Sequence, residues 1–392
     1  MKICDVTQFY SPLSGGVKRY LHEKIVYLER AGPDCEHVLV VPGAKTEMHS
    51  SSLHTRTYEI ASPLISRRTR YRALLNLRAL QDVIQRERPD IIECADPYQL
   101  GWKSLHIGHS LGIPVIAFYH SHFAETHLRG SERFIGSRPA ALCRTAARAY
   151  VRRFYNRFAR TLVPSQALAE LLAQWGVRNA VTCHLGVNTK IFCAEPNDRD
   201  TTRSALLIPD DAFLLLYVGR LAAEKNTRTL GTAFEQLARN DARFHLLVVG
   251  DGGERKTVRE LQAKTRRVTW IQYCSDAAQL AQYYRAADLF VHPGTEETFG
   301  LVALESQACG TPVVGIRGSY MDENIQHNQS FWAAMNSAPD LAKAIEHAAS
   351  LDLKRVGRAA AAKVAEGYAW SRVFERLFCI YRDVCTEYRE TR

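Results

Sequence analysis

The sequence predicts an α/β fold made of two Rossmann-like, doubly wound domains that face each other across a cleft. The chain has 392 residues, which is too many for one ordinary hydrophobic core and suits two domains. Short apolar runs typical of buried strands alternate with helical runs along the chain, and this alternation indicates parallel sheets with crossover helices. A polar segment, residues 195–203, interrupts the alternation and has the composition of a linker.

The first domain is predicted to span residues 1–190. Its strands are predicted at residues 2–6, 37–41, 91–94, 115–119, 161–163 and 180–184. Helices are predicted between them at residues 16–31, 71–86, 139–158 and 166–175. Ser165 suits the N-cap of the last of these helices, and Gly176 suits its end.

The second domain is predicted to span residues 205–370, after a linker at residues 191–204. Its strands are predicted at residues 213–218, 245–249, 268–272, 289–292 and 312–315. The last helix, residues 371–392, has apolar residues at helical spacing and is predicted to pack back on the first domain. Ligands of such sheets bind outside the carboxyl ends of the strands, so we expect the site in the cleft.

Charge is distributed unevenly along the chain. The formal net charge is +10, and residues 1–188 hold 25 Lys and Arg against 15 Asp and Glu, so the whole excess lies in the first half. Two segments predicted to be helical concentrate it: Arg67, Arg68, Arg70, Arg72 and Arg78, then Arg144, Arg148, Arg152, Arg153, Arg157 and Arg160. Apolar residues interleave both, which favours an anionic membrane surface as a partner. Solvated helix faces are the alternative, and both interpretations stay open. No nucleic-acid module signature is present, so nucleic acid is not an expected partner.

Cysteine usage and hydropathy indicate a cytoplasmic protein, with peripheral association with the inner face of the plasma membrane as an open possibility. The ten cysteines are scattered without a Cys-x-x-Cys pair, which is typical of reduced core thiols. The longest apolar runs are too short to span a bilayer. The N-terminal residues have the pattern of a buried strand and not of a signal peptide.

The segment from residue 290 to residue 315 carries the clearest chemistry. Glu297 and Glu305 have seven residues between them, and Phe299, Gly300 and Leu301 open a predicted helix in between. A helix start presents free backbone N–H groups to an anion, and carboxylates suit sugar hydroxyls. The segment therefore predicts a pocket for a phosphorylated sugar.

A second motif, Gly219-Arg220-Leu221 followed by Glu224-Lys225-Asn226, comes directly after the predicted strand at residues 213–218. Arg220 and Lys225 place two cations at the strand exit, and such cations stabilise a departing diphosphate. The alternative interpretation is a surface turn with a Glu224–Lys225 pair.

Together these motifs resemble family 4 of the retaining glycosyltransferases, which have the GT-B fold. Gly15-Gly16-Val17 with Arg19, Val163-Pro164-Ser165, Gly186-Val187-Asn188 and Tyr368-Ala369-Trp370 fit the same family, so the resemblance covers nearly the whole chain. It implies a nucleotide-sugar donor, UDP- or GDP-linked, and a metal-independent reaction without a cofactor. The Asp198-Arg199-Asp200 run lies in the predicted linker and is expected to be solvated and not a metal site.

The resemblance also implies roles for matching residues. Arg220 and Lys225 would hold the diphosphate, Glu305 the ribose hydroxyls and Glu297 the transferred sugar. Backbone N–H groups of Phe299, Gly300 and Leu301 would contact the sugar or the distal phosphate, and Gly15 and Gly16 would let their loop approach that phosphate. His120, at the end of a predicted strand, would support the developing positive charge at the donor sugar. Arg19 and His122 are predicted to face the acceptor.

The chain departs from the family pattern after Gly315, where a glycine-rich loop is replaced by residues 318–325. Donor identity is therefore less defined than reaction type. The sequence predicts transfer of a hexose, with mannose or glucose favoured, to a hydroxyl of a glycan or lipid-linked acceptor in cell-envelope glycoconjugate or polysaccharide synthesis. A nucleotide-sugar epimerase of the same fold and a non-catalytic basic membrane-binding protein are the alternatives.

Overall fold

The computed structural model describes residues 1–11, 15–31, 34–65, 70–120, 136–196 and 198–391. The chain divides into two compact units. Unit 1 comprises Met1–Leu185 together with Trp370–Arg392, and unit 2 comprises Gly186–Ala369. Within the described residues, no helix is both long enough and apolar enough to cross a membrane.

Unit 1 is built on a sheet of eight described strands in the order β3-β4-β2-β1-β5-β6-β7-β8. All neighbouring pairs are parallel except β3 with β4. The strands are β1 (Lys2–Val6), β2 (Glu36–Gly43), β3 (Glu47–Ser50), β4 (Thr55–Ala61), β5 (Ile91–Cys94), β6 (Val115–Phe118), β7 (Thr161–Val163) and β8 (Ala180–Thr182). The edge strand β3 and its neighbour β4 were not predicted; β3 is exposed throughout and has no buried face to mark it.

Helices cover both faces of this sheet, as crossover connections require. They are Gly16–Ala31, Leu77–Glu87, Gln99–Leu111, Ser137–Tyr155, Gln166–Gln174 and the C-terminal Trp370–Glu390. The helix predicted at residues 71–86 begins only at Leu77, because the Asn76 side chain accepts a hydrogen bond from Ala79 N at 3.1 Å and caps it. Arg70 and Arg72 therefore precede this helix, and Arg67 and Arg68 lie outside the described residues.

Unit 2 contains a parallel sheet of five described strands in the order β11-β10-β9-β12-β13. The strands are β9 (Phe213–Val218), β10 (Phe244–Val249), β11 (Val268–Ile271), β12 (Leu289–His292) and β13 (Val313–Gly315). The helices are Arg199–Ala205, Thr227–Asn240, Arg255–Thr265, Ala277–Ala286, Leu301–Ala308, Ala338–Ala349 and Leu353–Gly367, with short 3-10 turns at Ala223–Lys225 and Asp322–Asn324.

The segment predicted to be a polar linker includes the first helix of unit 2, Arg199–Ala205. Two arginines hold that helix in place. Arg199 and Arg203 both pair with the Asp288 carboxylate, the second at 2.7 Å. Asp198 is likewise not solvated, because Arg285 binds both of its oxygens at 2.7 and 2.6 Å. Charge pairing thus makes these residues part of unit 2.

The C-terminal helix Trp370–Glu390 belongs to unit 1 and joins a buried ionic cluster there. Lys24 Nζ, fully buried, lies 2.9 Å from Asp5 Oδ1, 2.9 Å from the Tyr381 hydroxyl and 3.3 Å from Glu93 Oε1. The Tyr381 hydroxyl donates onward to Glu93 Oε2 at 2.5 Å. Removing one partner would leave a buried charge short of a contact, so the cluster ties the helix to strands β1 and β5.

Candidate active site

The sheet of unit 2 has a topological switch point between β9 and β12. The chain leaves β9 toward β10 on one side, and β12 is the parallel neighbour of β9 on the other, with Phe290 paired to Leu216. The loops that follow β9 and β12 therefore start at the same edge of the sheet, where ligands of open α/β sheets bind. These two loops carry Arg220, Lys225 and Glu297.

The turn after β9 has a defined shape. The Tyr217 hydroxyl donates to the Arg220 carbonyl at 2.9 Å, and the 3-10 turn Ala223–Lys225 ends at Asn226, which has the left-handed φ of 56°. The Asn226 side-chain amide donates to the Pro293 carbonyl at 3.0 Å. Asn226 thus links the Lys225 turn directly to the loop that carries Glu297, a role that the sequence did not reveal.

Lys225 and Glu297 form the centre of the site. Lys225 Nζ hydrogen-bonds to Glu297 Oε2, and His292 Nε2 lies 3.6 Å from the same oxygen. Burial alone would raise the pKa of the Glu297 carboxyl, but the Lys225 ammonium and the His292 ring outweigh it and hold that pKa far below its usual range. Glu297 is therefore a carboxylate at neutral pH, able to accept a hydroxyl hydrogen bond.

Arg220 is placed differently from Lys225. Its side chain is 62% exposed and pairs with Glu224 at 2.8 Å. The alternative interpretation of this turn as a Glu224–Lys225 pair is thus wrong, because Glu224 binds Arg220 and Lys225 binds Glu297. An exposed ion pair contributes little to stability, so Arg220 can exchange its partner for an anionic ligand at small cost.

The helix Leu301–Ala308 begins at the end of the Glu297 loop. Gly300 caps it in the left-handed conformation with φ 79°, and a Cβ there would lie 2.5 Å from Met321 Sδ. Phe299 and Gly300 precede the helix and Leu301 starts it, so their N–H groups belong to its N-terminal end. Glu305, on the same helix, is buried and accepts a hydrogen bond from the Tyr284 hydroxyl at 3.2 Å.

Residues 318–325 support this loop through hydrogen bonds to its backbone. Ser319 Oγ donates to the Glu297 carbonyl at 3.0 Å, and the Asn324 amide donates to the Phe299 carbonyl at 3.0 Å. Asp322 Oδ2 accepts from Gly318 N at 2.8 Å and closes the turn. These hydrogen bonds fix the backbone at Glu297 and Phe299, where the sugar contact is predicted.

The glycine-rich segment after β10 allows close approach of two backbones. A Cβ at Gly250 would lie 1.9 Å from the Gly219 carbonyl oxygen, and one at Gly252 would lie 2.1 Å from that of Leu221. Leu221 and Gly252 form a parallel bridge. This packing fixes the start of the Arg220 turn, which explains why glycine is required there.

In unit 1, His120 follows β6 as predicted. Its ring stacks on Phe118 with 4.0 Å between centroids and meets the Tyr20 ring edge-on at 5.4 Å. Burial and the Lys24 charge lower the pKa of His120 far below its usual range, so the imidazole is neutral at neutral pH. The Tyr20 hydroxyl bonds Glu93 at 3.0 Å, which connects this aromatic group to the ionic cluster.

The remaining predicted residues of unit 1 lie at the start of its first helix. Gly15 precedes that helix and its carbonyl accepts from Arg19 N at 3.1 Å, while Gly16 is the first helical residue. His122 lies outside the described residues. Among the residues that are described, no group of three or more His, Cys, Asp or Glu side chains is arranged to hold a metal ion.

Two protein-family descriptions match the chain. "Glycosyltransferase Family 4" matches residues 14–191, and "Glycosyl transferases group 1" matches residues 198–363. The two matches fall on the two halves that the sequence predicts to be separate domains.

Curated relatives align over most of their length. The chain is 31% identical over 382 residues to a GDP-mannose-dependent alpha-(1-6)-phosphatidylinositol dimannoside mannosyltransferase of Mycobacterium tuberculosis, covering 95% of this chain and 93% of the relative. It is 29% identical over 320 residues to a GDP-mannose-dependent alpha-mannosyltransferase of Mycolicibacterium smegmatis, covering 80% of this chain and 79% of the relative.

Solved structures show the same fold. Sucrose-phosphate synthase of Thermosynechococcus elongatus superposes with a TM-score of 0.80 at 21% identity, covering 98% of this chain and 99% of that one. HepE of Anabaena, solved with UDP and glucose, gives a TM-score of 0.73 at 18% identity, covering 98% of this chain and 100% of that one. At these identities the likeness concerns the fold alone, and it confirms the predicted GT-B class.

Proposed function

This chain belongs to glycosyltransferase family 4, and from that premise we propose that it is a retaining, metal-independent mannosyltransferase that uses GDP-mannose and a lipid-linked acceptor. Glycosyl transfer from a nucleotide sugar follows from the family. The donor and the acceptor are proposed because relatives that align over most of their length are named for GDP-mannose, and the relative from M. tuberculosis is also named for a phosphatidylinositol dimannoside.

One observation supports the catalytic proposal above others. The Lys225 ammonium and the Glu297 carboxylate meet at the switch point of the sheet, next to the start of the helix Leu301–Ala308. A cation and a helix N-terminus stabilise the negative charge of a diphosphate, while the carboxylate orients a sugar hydroxyl. Donor phosphate and donor sugar would therefore be bound side by side.

In the proposed reaction, the bond between the anomeric carbon and the diphosphate oxygen breaks, and GDP leaves with the electron pair. The acceptor hydroxyl oxygen forms the new bond on the same face of the sugar, and its proton passes to the departing phosphate oxygen. Lys225 and Arg220 neutralise the charge that develops on the diphosphate. His120, Gly15 and Gly16 remain proposed contacts of the donor, and Arg19 and His122 of the acceptor.

Nucleotide binding tests the donor assignment. Thermal unfolding is followed with GDP and with UDP at equal concentration, because a ligand that binds the folded state raises its stability by mass action. GDP is expected to raise the melting temperature more than UDP. A larger shift with UDP would refute the GDP-mannose donor.

Transfer itself tests the reaction class. Incubation with GDP-mannose and a phosphatidylinositol mannoside is expected to give an α-linked product, at the same rate with EDTA as without it. An isomerised donor formed without acceptor would indicate the epimerase instead. The relatives are transferases, so neither the epimerase nor the non-catalytic alternative is favoured.

A further inference from the structure

His292, the last residue of β12, is a buried histidine with only one of its ring nitrogens engaged. Its side chain is 5% exposed, and its Nε2 lies 3.6 Å from Glu297 Oε2. Its Nδ1 is buried and has no hydrogen-bond partner among the residues that the structure describes. A proton on Nε2 faces the carboxylate and leaves Nδ1 as an acceptor without a donor.

This arrangement does not favour stability. A buried polar atom without a partner is destabilising, and an aliphatic side chain of similar size would avoid that cost. The neighbouring positions in β12 are filled by apolar residues, Leu289, Phe290 and Val291, each fully buried. Stability of the strand therefore gives no reason for a histidine at this position.

The contact with Glu297 does give a reason. Lys225 Nζ and His292 Nε2 both approach Oε2 of the carboxylate. Two positive or proton-bearing groups near one oxygen restrict the torsion of the carboxyl group. The main chain of the same residue is fixed as well, because Ser319 Oγ donates to the Glu297 carbonyl at 3.0 Å.

The surroundings also hold the imidazole in place. A Cβ at Gly294 would lie 3.2 Å from His292 Cε1, so the loop backbone lies close to the ring. The same point is 3.8 Å from the Lys225 Cα, so the ring lies close to the Lys225 turn as well. Packing against these two segments therefore restricts displacement of the ring toward them.

We propose that His292 and Ser319 are positioning residues that orient the Glu297 carboxylate toward a hydroxyl of the donor hexose. His292 fixes the side chain and Ser319 fixes the backbone. This inference rests on the proposed function, in which Glu297 contacts the transferred sugar. It also gives a role to residues 318–325, which would support the sugar contact through the Glu297 backbone.

The test compares His292→Leu with His292→Gln, whose amide nitrogen replaces Nε2. The first variant is expected to melt at or above the wild-type temperature, because the unpartnered nitrogen is gone, while kcat with GDP-mannose falls about tenfold or more through misplacement of Glu297. Its affinity for GDP, which lacks the sugar, is expected to stay unchanged. His292→Gln is expected to recover most of the lost kcat.

Three further variants make the result independent of folding at one position. Ser319→Ala is expected to lower kcat with unchanged GDP affinity, whereas Ser330→Ala, at an exposed serine of the same region, is expected to behave as wild type. His245→Leu is the control substitution of a histidine. His245 lies on β10, away from Glu297, and its Nε2 hydrogen-bonds to Thr269 Oγ1 at 2.9 Å. This variant is expected to lose stability and to keep kcat.

The outcomes separate this inference from the proposed function. If Glu297→Gln keeps full transfer activity, the proposed role of Glu297 fails and the inference fails with it. If Glu297→Gln is inactive while folded His292→Leu and Ser319→Ala both turn over at the wild-type rate, only the inference is overturned. A loss of GDP affinity in His292→Leu would also overturn it, because that loss would indicate a phosphate contact.

Discussion

At the scale of single residues, the site depends on charges that only tertiary structure brings together. Lys225 and Glu297 are 72 positions apart in the chain, yet they share a hydrogen bond. The Lys225 ammonium lowers the pKa of the Glu297 carboxyl, because an opposite charge offsets the cost of desolvation. In the proposed function, this pair binds the anionic leaving group beside the donor sugar.

Replacement of Lys225 tests the leaving-group role. Lys225→Ala is expected to lower the turnover number on the order of a hundredfold, because one preorganised charge that stabilises the transition state is lost. Steady-state kinetics with GDP-mannose measures the effect. Lys256→Ala, at a side chain that is 86% exposed, is the matched control and should turn over normally. Turnover near the wild-type value in Lys225→Ala would reject the phosphate role.

Asp96, beyond the end of β5, should make the stability of unit 1 depend on pH. Burial raises the pKa of its carboxyl to about 7, although a hydrogen bond from Gln8 N at 2.9 Å lowers it in part. Because the folded state then binds more protons than the unfolded state between about pH 4 and 7, stability falls as the pH rises through that window and is level above it.

Asp96→Asn removes this dependence, because an amide carries no proton to lose. Relative to wild type, the free energy of unfolding of the variant is expected to rise between pH 4 and pH 8, on the order of 3 kcal/mol. Urea unfolding at several pH values measures it. If the difference in free energy of unfolding between the two proteins stays constant from pH 4 to pH 8, the raised pKa of Asp96 is contradicted.

At the scale of elements, the switch points and the helix ends decide where chemistry can occur. In unit 2, parallel pairing of β9 with β12 brings the Arg220 turn and the Glu297 loop to one edge. In unit 1, the C-terminal helix returns to contribute Tyr381 to the cluster around Lys24. Both arrangements join segments that are remote in sequence, so each element depends on the packing of another.

Gly300, which precedes the helix Leu301–Ala308, is expected to tolerate an added side chain poorly. Gly300→Ala should lower the free energy of unfolding by about 1–3 kcal/mol, because φ is +79° and the new Cβ would lie 2.5 Å from Met321 Sδ. Gly318→Ala is the matched comparison, since its φ is +103° but nothing lies within 4 Å of the new Cβ. Chemical unfolding measures both, and equal losses would show that the Met321 contact costs nothing.

The Tyr381 hydroxyl is expected to contribute more to the free energy of unfolding than an exposed hydroxyl does. Tyr381→Phe removes the partner of Lys24 Nζ and Glu93, and the buried groups left behind should cost about 1–3 kcal/mol of unfolding free energy. Tyr273→Phe, at a ring that is 66% exposed, should cost almost nothing. Unfolding of the two variants in urea gives the comparison, and equal stability would show that the cluster does not hold the helix.

At the scale of the whole molecule, the excess positive charge agrees with the proposed lipid-linked acceptor. The net charge of +10 comes from the first half of the chain, and the helix Ser137–Tyr155 presents Arg152 and Arg153 on exposed positions. Leu142, on the same helix, is 72% exposed. A basic face with an exposed apolar side chain suits an anionic membrane, where a lipid-linked acceptor would be found.

Liposome sedimentation tests this surface. The protein is expected to pellet with vesicles that contain anionic lipid at low salt, and to stay in solution with neutral vesicles or at high salt. The double variant Leu142→Gln with Arg153→Glu should pellet less, whereas Arg355→Glu, at a side chain in unit 2 that is 82% exposed, should pellet normally. Equal pelleting of all three proteins would contradict a membrane-binding face on this helix.

Part of the site could be predicted because its signals are local. The strand Phe213–Val218, the helix Leu301–Ala308 and the Gly300 turn between Glu297 and Glu305 follow from apolar runs and from turn chemistry within a few residues. The roles of His292, Ser319 and Asn226 could not be predicted in this way. Their partners lie on other segments, and no local pattern names them.

The sequence by itself determined the alternation of strands and helices, the two halves of the chain and the family to which it belongs, because periodicity, turn residues and motif spacing act over short distances. Tertiary structure alone decided that Lys225 pairs with Glu297 and not with Glu224, that Asp198 binds Arg285, and that Lys24 is buried against the C-terminal helix. Ion pairs form between groups that folding brings close, and that closeness depends on which strands end side by side.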